Sequence, residues 1–224
     1  MSNLFTPKSP ALPLAQSLYT QSYQDKYSNI LRLYFNQIDT FTGAMAGPLG
    51  MIYVDAPYIA ASDSTDQYAD GNDDPTIIKW DSADALNGFT LNVDNTATVE
   101  KAGVYKIDFS IQFANSANAA HDAFVWLQEN GTAIPNSSSK FTIPAAKNAN
   151  TPAYVVGYSS IVFEATPADK IGLWWATDLA ATSNGVTKGI YIEHLPAQTT
   201  PYIRPANPSV IGSITFLSRL PNTP

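Results

Sequence analysis

The chain has no cysteine, which excludes disulfides, thiol catalysis and cysteine-bound zinc and leaves burial and hydrogen bonding to hold the fold. Charge is scarce as well: Asp, Glu, Lys and Arg make up 14% of the 224 residues, against about a quarter in ordinary soluble domains. Lys and Arg together number 12 against 19 acidic residues, a net charge of -7. A nonspecific nucleic-acid binder, which needs clustered cations to displace counterions from phosphates, is thereby disfavoured. Histidine occurs only twice, at His121 and His194, so imidazole acid-base chemistry has few places to reside. No apolar run approaches the ~18 residues needed to span a bilayer, and membrane insertion is not expected. The first residues lack the basic start and unbroken apolar stretch of a secretory signal, so synthesis in a cytoplasm without conventional export is expected.

Hydrophobic residues make up 45% of the chain and aromatic ones 12%, enough for one sizeable core. Residues 1 to about 15 are rich in Pro and Ala without periodicity and read as an extended arm. From 17 to 41 the pattern becomes helical. Tyr27, Leu31, Tyr34, Ile38 and Phe41 recur at spacings of four and three and fall on one stripe, with a stop expected at Thr42-Gly43. That stripe is the candidate trimer or docking interface, and residues 1–47 are assigned to an arm and anchoring helix.

After Gly50 the period falls to two. Strands are expected at 50–54, 76–80, 89–93, 97–100, 103–113, 123–129, 140–143, 153–164, 170–176, 187–195 and 210–217, with turn chemistry at Asn130-Gly131, Asn184-Gly185 and Pro167-Ala168-Asp169. Short strands without intervening helices imply an all-β sandwich over 48–224, ending in a C-terminal tail. In 153–164, Tyr154, Val156, Tyr158 and Val162 share one parity while Val155, Ile161 and Phe163 share the other. A sandwich buries one face of each strand, so the surplus apolar face calls for a subunit interface.

Four blocks, GVYKIDFSIQF at 103–113, VWLQENG at 125–131, YSSIVF at 158–163 and ADKIGLW at 168–174, resemble in order and spacing the core of the C1q and tumour-necrosis-factor jelly rolls. The resemblance covers roughly 87 to 195 and implies a ten-stranded jelly roll that assembles as a tight homotrimer. The chain departs from the animal proteins in lacking a collagen-like stalk, a signal peptide and cysteine. Residues 22–39, SYQDKYSNILRLYFNQID, are similar to segments ahead of such domains in tailed-bacteriophage virion proteins. Together these imply a trimeric virion structural protein, a capsid decoration protein, head fibre or tail-fibre adaptor, synthesised in the host cytoplasm and docked on capsid or tail proteins. The alternative is an adhesin for a host-surface glycan or protein, with Trp126, Trp174 and Tyr191 as candidate contact aromatics.

Enzymatic motifs are missing: there is no nucleophile elbow, zinc-binding His-Glu pair, phosphate loop or dinucleotide fingerprint. No catalytic residue, cofactor or metal is assigned. His121 reads as a solvated turn residue, His194 as a residue near a strand end. Asp73 and Asp74 could flank a glycosidic bond only if something fixed their separation. Residues 63–74 gather five carboxylates around Gly71, yet their spacing does not match a helix-flanked calcium loop, and solvated Asx turns are the expected outcome.

Overall fold

The computed structural model describes residues 9–14, 18–46, 56–148 and 151–220. The chain divides into two compact units, 1–56 and 57–224. The expected strand at 50–54 lies outside the described residues.

In the first unit, helix α1 spans Gln21–Ala46. Thr20, a favoured N-cap residue type, precedes it, and its carbonyl accepts from the Gln24 amide at 3.2 Å. Tyr23 stacks on Tyr27 with ring centroids 6.4 Å apart and donates its hydroxyl to the Pro13 carbonyl at 3.2 Å, folding the arm back along the helix. The expected stop at Gly43 is not where the helix ends. A glycine inside a helix costs only about 1 kcal/mol relative to alanine, too little by itself to end one.

The second unit holds thirteen strands among the described residues. One sheet runs β10 (Ala153–Ala165), β6 (Gly103–Asn115), β13 (Val210–Ser218), β1 (Tyr58–Asp63), β3 (Ser82–Asn87), and β12 (Ile190–Ile192) also pairs with β6. The other runs β4 (Phe89–Leu91), β5 (Ala97–Val99), β11 (Lys170–Thr177), β7 (His121–Glu129), β8 (Thr132–Ala133), with β2 (Thr76–Ile77) on β11 and β9 (Ser139–Ile143) on β7. The antiparallel pairs β1 with β13, β5 with β11, β6 with β10 and β7 with β9 nest one inside the next in chain order. Nested pairing of this kind, folded over into two sheets, is a jelly roll.

The core sits between the sheets. From β6 come Tyr105, Ile107, Phe109, Ile111 and Phe113; the facing strands contribute Val125, Leu127, Leu173 and Trp175, all buried. Tyr105 meets Phe89 and Phe216 edge to ring at 5.4 Å, and its hydroxyl donates to the Lys101 carbonyl at 2.5 Å. Burial pushes the Tyr105 phenol up to about 12, so it stays a neutral donor. Asn115, fully buried, donates its amide to the Ala119 and Pro144 carbonyls at 2.9 Å and accepts from the Ala117 amide at 2.8 Å, fixing the loop that follows β6.

The β4–β5 turn is tied to β11 by charge. Asp94 accepts from the Thr96 hydroxyl at 2.5 Å and from the Lys170 ammonium at 3.0 Å. These bonds, the Thr96 hydroxyl foremost, pull its carboxyl from 3.8 down to about 2. Because the folded value lies below the unfolded one, the stabilisation is present above the ordinary carboxylate range and is lost as pH falls towards 2. The pair is half-exposed, so its energy is small. A carbon-detected titration is expected to place the Asp94 midpoint near 2, and Thr96→Ala to return it towards 3.8.

Candidate functional site

The outward residues of β10 form an exposed apolar row on the sandwich. Tyr154, Val156, Tyr158 and Val162 are 48%, 57%, 62% and 58% exposed, whereas Phe163, of opposite parity, is buried. Register carries this row across the sheet: Tyr158 lies beside Ser110 and, beyond it, Ile211, itself 49% exposed. Lys106 and Asp108 pair at 2.7 Å on the same face, and the Tyr158 hydroxyl donates to Asp108 at 3.2 Å. Burial would raise the Asp108 carboxyl, but the bonds from Lys106, Ser160 and Tyr158 outweigh it and hold the group low. The face is thus an apolar ladder in which the Asp108 carboxylate is neutralised by Lys106, with Glu164 outward near the end of the strand.

The helix stripe lies on one side of α1: Tyr27, Leu31, Tyr34, Ile38 and Phe41 are each half-buried. Leu33 and Phe35, on other faces, are 52% and 57% exposed, so apolar side chains reach beyond the stripe.

The three candidate contact aromatics do not share one surface. Trp126 on β7 and Trp174 on β11 are direct cross-strand partners on the outer face of the second sheet, with Phe124 opposite Ala176 two residues along. Lys140 lies over the Phe124 ring at 5.7 Å and pairs with Asp122 at 2.8 Å. Tyr191 belongs to the first sheet. It stands in register with Ala114, which on its other side faces Tyr154, and it stacks on Tyr68 with centroids 5.5 Å apart and planes 11° from parallel. Its hydroxyl donates to Glu193 at 3.0 Å, and burial foremost, with the Glu193 charge, raises its pKa.

Sequence reasoning missed Tyr68 as part of this group. It lies in the acidic segment, which is not the uniformly solvated loop expected from composition. Asp63, 2% exposed, accepts from the Thr65 amide at 2.8 Å and the Ser209 hydroxyl at 3.1 Å. Gln67, equally buried, exchanges backbone bonds with Ile192 and side-chain bonds with Lys79, which delivers the next residue, Tyr68, to Tyr191. Only an Asp and a Gln flanking a β-like segment hinted at this, and both types are ordinary in loops.

His121 opens β7 and its Nδ1 lies 3.2 Å from Asp178, so it is a strand residue with an acidic partner and not a free turn imidazole. His194 donates its backbone amide to Asp66 at 2.9 Å. Asp73 and Asp74 stand in the turn before β2, exposed. Among the described residues no three His, Asp or Glu side chains gather as a metal ion requires, and no helix is long and apolar enough to cross a membrane.

No family model matches the chain, and no curated protein matches it. Among solved structures, the Eiger TNF of S. frugiperda is similar in fold, at 11% identity and a TM-score of 0.45, over 75% of this chain and 96% of that one. The likeness is one of fold.

Proposed function

We propose that the chain is a non-enzymatic, homotrimeric structural protein of a tailed-bacteriophage virion, such as a capsid decoration protein, head fibre or tail-fibre adaptor, docked through residues 1–47. The observation that carries it is the exposed apolar row on β10, four large side chains of one parity on one strand face. Contiguous apolar surface of this kind marks association sites, and closed rotational symmetry lets one patch be covered in every copy. A helix with apolar side chains on more than one face, set in its own unit, suits a second contact, to the particle. The resemblance of residues 22–39 to segments of phage virion proteins is the ground on which this reading takes that particle to be a virion.

Electron cryomicroscopy of purified particles is expected to show three-fold density of jelly-roll size, and mass spectrometry of the same particles to detect the chain. Recovery of the chain only in the particle-free lysate would overturn the proposal.

A further inference from the structure

The stripe on α1 has a period that narrows what can cover it. Tyr27, Leu31, Tyr34, Ile38 and Phe41 follow one another at steps of four, three, four and three. This alternation averages about 3.5 residues, the repeat with which helices wind about one another, whereas a helix lying on a globular body follows its own turn of about 3.6. All five side chains are half-buried in a single copy, so each keeps apolar area for a partner.

The rest of the helix is laid out around that seam. Its four charged residues, Asp25, Lys26, Arg32 and Asp39, all fall in outer positions of the heptad. Asn29 and Asn36 are outermost, and Arg32 donates to Asn29 Oδ1 at 2.9 Å, which holds the cation away from the seam. Gly43 is outermost as well, and a Cβ there would meet nothing within 4 Å. The positions that flank the seam are Tyr23, Ile30 and Gln37 on one side and Ser28, Phe35 and Thr42 on the other. None is charged, so copies lying side by side meet no like-charge repulsion. A lipid surface fits less well, because it calls for cations along the polar face and the helix has two, matched by two carboxylates.

We infer that α1 joins the α1 helices of two further copies in a parallel three-stranded coiled coil, with Tyr27 to Phe41 as its seam, once the sandwich brings the copies together. The inference rests on the three-fold association read from β10. Three helices about one axis leave a wider core than two, which suits a ring at each of Tyr27, Tyr34 and Phe41. The seam covers little more than two heptads and is too short to hold copies together by itself. Tethering to one body raises the local concentration of the helices to about the millimolar range, and there a weak seam closes. The particle then meets a bundle, to which Leu33 and Phe35, 52% and 57% exposed in one copy, offer apolar surface.

The chain has no cysteine, so one introduced thiol reports without background. Leu31→Cys places it in the seam and Asn36→Cys on the outer side. Each full-length variant is treated with a short bismaleimide, its mass is followed by light scattering, and its helix content by circular dichroism. Leu31→Cys is expected to link at least about fivefold faster than Asn36→Cys, and to leave about one chain in three single, since a bivalent reagent joins two of three thiols. Ile38→Cys, the next seam position of the same kind, serves should Leu31→Cys lower the helix content. Adding Val156→Asp and Tyr158→Asp is expected to abolish the linking. A chain that scatters as a trimer yet links Cys at 31 and 36 alike, or at neither, would overturn the coiled coil and leave the β10 face standing. A chain that scatters as a monomer would overturn both, and linking that survives the β10 substitutions would overturn the dependence of the seam on the body.

Discussion

Purified at micromolar concentration, the chain is expected to scatter light as three copies of its 24.2 kDa mass, and Val156→Asp with Tyr158→Asp to reduce it to single copies. Both positions lie on the outward face of β10 and are more than half exposed in one copy, so the sandwich core does not feel the change. In the proposed trimer they are covered. Burying an apolar side chain of this size contributes about 1.5 to 3 kcal/mol, and each copy brings the four outward residues Tyr154, Val156, Tyr158 and Val162. Replacing two of them by carboxylates removes that burial and adds an unpaired charge in a dry interface, a cost of several kcal/mol at each contact. Asp108, a native carboxylate beside these residues, is already neutralised by Lys106 at 2.7 Å. Trp126→Asp, on the opposite sheet, is the control and is expected to leave the trimer intact. Circular dichroism of the double variant should retain the strand signal. A wild-type chain that scatters as a stable monomer, or a double variant that remains trimeric, would remove β10 as the association face.

The parity of β10 was legible because Tyr154, Val156, Tyr158 and Val162 are too apolar for a wet face and too regular to be accidental. Strand β6 was legible for the opposite reason, since Lys106, Asp108, Ser110 and Gln112 mark its wet side without ambiguity. Strands β1 and β3 gave no such signal. In β1 the inward positions are Ile59, Ala61 and Asp63, of which Ile59 alone is large and apolar, while Asp63 is buried with a partner distant in the chain, Ser209. In β3 no residue is fully buried, so no clear side-chain period exists to read, and backbone pairing with β1 makes it a strand. The expected strand at 89–93 stops at Leu91 because Val93, fully exposed, already stands in the turn closed by Asp94 and Thr96. The end of α1 was misplaced because a lone glycine is a weak stop when the surrounding residues favour a further turn. At the candidate site, Tyr191 was visible as an aromatic in a strand pattern. Its companion Tyr68 comes from a segment whose approach is set by tertiary bonds through Gln67, which leave no local period, and the strand expected at 187–195 is shorter, Ile190–Ile192.

Removing residues 1–43 is expected to leave a folded trimer that no longer attaches to its particle. Every strand among the described residues lies between Tyr58 and Ser218, within the unit 57–224, and the aromatic core around Tyr105 and Phe113 draws only on those strands. The truncation therefore removes no side chain from the core between the sheets, and the fold and the β10 face both persist. Attachment is a different matter, because the stripe of Tyr27, Leu31, Tyr34, Ile38 and Phe41 goes with the deleted segment. In the full chain, Leu31→Asp with Ile38→Asp tests the same stripe without shortening anything. Both residues are half-buried, so the folded chain can solvate the new carboxylates, whereas a docked helix cannot, at a cost of several kcal/mol for an unpaired buried charge. Reconstitution on particles stripped of the protein reads the result: the truncated chain and the double variant both remain in the supernatant while the wild type sediments with the particles. An insoluble truncation would place the helix within the body of the fold. A double variant that still sediments would move the anchor to the Pro-rich arm or to the C-terminal tail, since a stripe carrying two carboxylates can no longer be the surface that is buried.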